Sequence, residues 1–172
     1  MKKVVMALAI LCSASSFCAE PDYYAALCAW APGQVPSADS SVIYGVRATL
    51  FYGDYTRVNG LDLALGANST RERFNGLGIA LVMNRANSLA GTQFGFANVV
   101  DYETYGLQLG AWNHAGEGYG TQLGVVNTAN YLAGFQCGLV NWANDLDGLQ
   151  LGLVNVVADQ SLFVLPFLNI GW

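Results

Sequence analysis

From Gly148 to Asn155 the chain reads GLQLGLVN, with Leu149, Leu151 and Leu153 at every second position and Gln150, Gly152 and Val154 between them. The same unit recurs upstream as GLGIALVMN, GTQFGFAN, GLQLGAWN, GTQLGVVN and GFQCGLVN, so that the opening glycines fall at 76, 91, 106, 120, 134 and 148. Two looser copies, GVRATLFY and GLDLALGAN, open at Gly45 and Gly60. A period of two excludes helix as the main element, because a helix would repeat its apolar positions every three or four residues. Each copy therefore predicts one strand of roughly 10 residues and a connection of about 4, in which Gly and Asn supply turn chemistry. The segments YYAALCAWAPG before the copies and SLFVLPFLNIGW after them add two more strands, giving about ten.

The alternation separates two faces. At the first, third and fifth positions after each opening Gly, 24 sites in all, only Thr92 and Thr121 are not apolar. The intervening positions carry Arg47, Asp62, Gly78 and then Gln93, Gln108, Gln122, Gln136 and Gln150, each Gln followed two residues later by Gly. Two architectures can use such faces. A closed antiparallel β-barrel turns the oily face to lipid and the Gln row inward, whereas a parallel β-solenoid, one coil per copy, would fill its core with the oily face and carry the glutamines outside. A β-sandwich with one buried face is a third, blander reading. Three features favour the barrel: Trp172 closes an alternating apolar strand, the last segment lacks the polar cap a soluble solenoid needs, and Gly or Ala beside each Gln makes room in a narrow lumen. The expectation is an all-β transmembrane antiparallel barrel of about ten strands, with the solenoid as the alternative. In either, Arg47 and Asp62 should lie side by side on the polar face, and Trp172 is expected to serve as a C-terminal assembly signal.

Composition narrows the setting. Lys2 and Lys3, the apolar run from Val4 to Leu11 and the small-residue stretch CSASSFCA form the layout of a secretory signal peptide, with cleavage expected after Ala19 and one domain over 20–172. Cys12 follows Leu11 and Cys18 follows Phe17, which disfavours lipoprotein processing. After cleavage five arginines would stand against twelve acidic residues, a net charge of −7, which argues against nucleic acid as a partner. The expected location is the outer membrane or surface of a Gram-negative-type bacterium, with outer-membrane lipid and the barrel assembly machinery as partners. Cys28 and Cys137 are too few for a disulfide scaffold, and their pairing stays open.

The run GVRATLFYGDYTRVNGLDLALGAN, the copies of GxQxGxxN and the ending LPFLNIGW resemble the leptospiral-type surface repeat proteins, over roughly Gln34 to Trp172. Arg47 and Asp62 fall where that family is expected to place them, while Gly78 and Cys137 depart from its pattern. The resemblance implies a surface location and brings no catalytic residue.

Catalytic chemistry has little to stand on. His114 is the single histidine, in the turn-like NHAGEG. Asp145 and Asp147 in NDLDG lack the other ligands of a calcium loop, Asp101 and Glu103 lie in an expected connection, and Gly-x-Gln-x-Gly precedes no helix, so it is no dinucleotide motif. Neither enzyme activity, nor a metal, nor a cofactor is expected. Tyr23, Tyr24, Trp30, Tyr52, Tyr105, Tyr119, Trp142 and Trp172 fall near strand ends, as an interfacial girdle would place them.

Overall fold

The computed structural model describes residues 22–30, 34–35, 42–158 and 163–171. Six hydrogen-bonded segments run through them: β1 (Asp22–Trp30), β2 (Gln34–Val35), β3 (Val42–Ala64), β4 (Ala67–Cys137), β5 (Val140–Val157) and β6 (Phe163–Gly171). β4 is 71 residues long, far beyond a single straight strand, because the chain bends at corners without interrupting its ladder. Register supplies the explanation. Gly60 pairs with Gly76 and Leu61 with Leu77 in parallel, and Gly134 pairs with Gly148 and Gln136 with Gln150 in the same sense. Each residue thus stacks on its counterpart one copy later.

The fold is a parallel β-solenoid, which overturns the expected antiparallel transmembrane barrel. A barrel built from these copies would join consecutive strands by hairpins, and none occurs between copies. Antiparallel pairing is confined to the ends, where β2 lies beside β1 and β6 folds back along β5. The segments expected to be turns are strand as well. A solenoid never reverses direction between copies, so TANYLA and WANDLD continue the ladder and send Ala129, Leu132, Ala143 and Leu146 inward, where with Val157 they form an apolar cluster. A second cluster, including Ile43, Tyr55, Val58, Phe74 and Leu89, fills the N-terminal coils.

The corners explain the opening glycines. Gly134 has φ +152°, and a Cβ there would run into the Gly120 carbonyl of the preceding coil; the same stack continues from Gly148 onto Gly134. Only glycine supplies both the conformation and the clearance.

The expected signal peptide and Trp172, the expected assembly signal, lie outside the described residues. No described helix is long and apolar enough to cross a membrane.

Candidate interaction face and the amide-filled interior

The solenoid is turned inside out relative to the expectation for one. None of the 24 oily-face positions is buried, while Gln93, Gln108, Gln122, Gln136 and Gln150 all are. The extremes are Phe96, 68% exposed, and Gln136, 0%. Aliphatic side chains were expected to fill a solenoid core; here amides take that place, because a 14-residue coil is narrow and a buried amide can bond its own copy in the next coil.

Those bonds are nearly complete. Gln122 Nε2 donates to Gln108 Oε1 at 2.8 Å, Gln136 to Gln122 at 2.7 Å and Gln150 to Gln136 at 2.8 Å. The Gln122 side-chain nitrogen also donates to the Thr128 carbonyl, as that of Gln136 does to Trp142. A second row runs beside the first. Asn84, Asn98, Asn113, Asn127, Asn141 and Asn155 are buried, and each of the first five donates to the next Asn Oδ1 at 2.7–2.9 Å. The Gln row donates toward the N-terminus and the Asn row toward the C-terminus, so their amide dipoles oppose one another. Satisfied on both amide hydrogens, such groups escape the roughly 1–3 kcal/mol penalty of an unpaired buried polar group. Gly124 and its equivalents leave room for the Asn row, since a Cβ on Gly124 would meet the Asn113 amide. The Asn row was not singled out from the sequence, although Asn closes each GxQxGxxN unit.

Arg47 and Asp62 take the place of glutamines in the first two copies. The guanidinium grips both Asp62 oxygens, Nε reaching Oδ1 at 2.7 Å, and also donates to the Ser69 carbonyl; the Tyr55 ring lies 5.3 Å from its centre. Both charges are buried. Burial pushes the Asp62 carboxyl up and Arg47 pulls it part of the way back. Between this pair and the Gln row, Gly78 carries no side chain, and the Phe74 ring and Asn84 pack against it. At the other end Asn169 of β6 donates to Gln150 Oε1 at 3.1 Å, which closes the row.

The oily face forms three parallel ladders. One runs Leu63, Ile79, Phe94, Leu109, Leu123, Cys137, Leu151, with an equivalent on either side. β1 extends it with Leu27, paired to Ala48, and β6 with Leu168, paired to Leu151, so the face spans ten strands. Exposed apolar patches of this extent mark contact surfaces.

The remaining candidates do not assemble into chemistry. His114 is half-buried with Nδ1 2.9 Å from Thr128 Oγ1, and burial holds its pKa down against the pull of Asp101. Asp101 pairs with Arg85, and Asp145 and Asp147 are both exposed, with no metal-binding cluster among the described residues. A shallow groove of about 330 Å³ between Asp54, Arg71, Met83, Arg85 and Asp101 is spanned by two ion pairs, Arg71 with Asp54 and Arg85 with Asp101. Cys28 is buried, its thiol donating to the Tyr52 carbonyl at 3.0 Å, and Cys137 sits in the middle ladder of the oily face; both are free. Tyr105 and Tyr119 stack along the solenoid axis at 4.9 Å, with Tyr131 5.8 Å beyond, instead of forming a girdle around it. A scan of family models, a search of curated proteins and a search of solved structures each found no match.

Proposed function

We propose that the protein is an exported, non-catalytic surface-interaction module, a β-solenoid whose working surface is its oily repeat face. One observation carries the reading: 22 of the 24 positions in three contiguous ladders are apolar, and all of them face outward while the amides face in. Leaving this much apolar surface in water is costly, at roughly 25 cal/mol per Å². The leader-like N-terminus and the resemblance to surface repeat proteins support a place at the cell surface. Expressed with its leader in a Gram-negative-type bacterium, the wild-type chain should be retained in the envelope fraction. A variant carrying both F94E and L109E should keep its far-UV circular dichroism and lose that retention. Equal retention of the two proteins would sink the reading.

A further inference from the structure

We infer that the oily face is covered by a second copy of this chain, packed face to face with the two solenoid axes antiparallel; the inference rests on that face being the working surface. Size is the first argument. Ten strands about 4.8 Å apart and five residues of about 3.3 Å each give a face of about 43 by 13 Å. Two such faces together cover about 1,100 Å², which clears the ~1,000 Å² that a specific interface needs. The surface also suits itself: every ladder has the same rung spacing, and the same patch on both copies makes a closed twofold contact.

Charge supplies the orientation and argues against lipid. Outside the buried Arg47–Asp62 pair, the chain from Val42 to Arg85 carries four arginines and two acidic residues; from Asp101 to Ala158 it carries five acidic residues and no Lys or Arg. A parallel pairing sets the acidic halves against each other, while the antiparallel one lays the arginine-bearing half of each copy alongside the acidic half of its partner. Peripheral membrane binding draws on Lys and Arg beside the apolar surface, and no Lys or Arg follows Arg85 in the chain.

The antiparallel arrangement fixes who meets whom. Counting strands from β1 to β6, Cys137 lies in the eighth and Leu63 in the third, so each Cys137 faces Leu63 of the other copy. Analytical ultracentrifugation of the leaderless chain in detergent-free buffer should give twice the chain mass. L123E, in the middle ladder, should give a single-chain mass with unchanged far-UV circular dichroism, whereas Y102Q, at an exposed and uncharged position outside the ladders, should stay dimeric. A short bis-maleimide should cross-link L63C to the native Cys137 of the partner and leave the wild type un-cross-linked. A wild-type monomer, or a dimeric L123E, overturns the second copy as occupant. Cross-linking of the wild type through Cys137 alone overturns the antiparallel order. A monomer that binds phosphatidylglycerol vesicles through Leu123 replaces the second copy with lipid and leaves the working-face reading standing. If L123E alters neither self-association, vesicle binding nor envelope retention, the working-face reading falls with the inference.

Discussion

Arg47 and Asp62, 15 residues apart in sequence, stack directly on one another inside the solenoid as a closed, buried ion pair. Removing one partner of a buried pair strands the other charge at a cost of about 3–5 kcal/mol. R47Q or D62Q alone should lose that much in chemical denaturation, and R47Q with D62Q together should lose far less, because the double variant strands no charge and leaves two stacked amides able to bond each other, still set apart from the Gln row by Gly78. An additive double-mutant cycle would show that the pair does not act as a unit.

Gln122 sits mid-row, and its amide both donates to Gln108 and accepts from Gln136. Q122L keeps the volume and breaks both bonds along with that to the Thr128 carbonyl, leaving Gln136 with an unpaired buried hydrogen. Denaturation should show a loss of about 1–3 kcal/mol for each stranded group. T121L, next in the chain but pointing outward, should change stability by less than about 0.5 kcal/mol.

Leu151 is 44% exposed. L151R should therefore fold in water with single-chain stability within about 0.5 kcal/mol of wild type. A lipid-facing site at a bilayer midplane would instead lose roughly 2–4 kcal/mol, so urea unfolding of dilute L151R in detergent-free buffer separates the two.

His114 gives the fold a pH dependence. The Thr128 hydroxyl donates its only hydrogen to the Asn113 carbonyl, so His114 Nδ1 must be the donor toward Thr128. Burial lowers the folded pKa below its ordinary 6.5, and Asp101 opposes this only in part. Between the folded value and 6.5 the unfolded chain binds more protons, so the contribution is fully present above about pH 6.5 and is lost as pH falls through the folded pKa. Nuclear magnetic resonance titration should place the His114 midpoint below that of a free histidine, and thermal melts of H114Q should lack this pH dependence.

The sequence displayed the strands and their two faces, because side chains alternate with period two whatever the connection. It did not display the direction of pairing through that alternation, since barrel and solenoid share it. The discriminating signal lay in the Asn closing each unit. In a meander of such copies the Gly end of one strand meets the Asn end of the next, and neither Asn141 nor Gln136 could bond its own counterpart. Only a parallel stack at one copy per coil brings like amides together. The apolar interior was missed for a related reason: Ala129, Leu132, Ala143 and Leu146 lie in stretches rich in Asn and Asp, which read as turns until the chain is known to continue forward through them. Nor could the sequence say which face was inside, because burial of the Gln row depends on bonds between copies that alternation does not reveal.

The amide-filled interior has a calorimetric consequence. Heat capacity rises on unfolding when apolar surface meets water and falls when polar surface does, by about +0.45 and −0.26 cal/mol/K per Å². In a single solenoid much of the aliphatic surface is wet already, and what unfolding newly exposes is rich in carboxamide. Its unfolding heat capacity should fall below the usual ~12 cal/mol/K per residue, making the stability curve shallow and the midpoint unusually sensitive to small changes in free energy. Where two copies cover each other's ladders, separation of the copies carries the missing heat capacity, and a concentration series in the calorimeter would assign it to association instead of to folding.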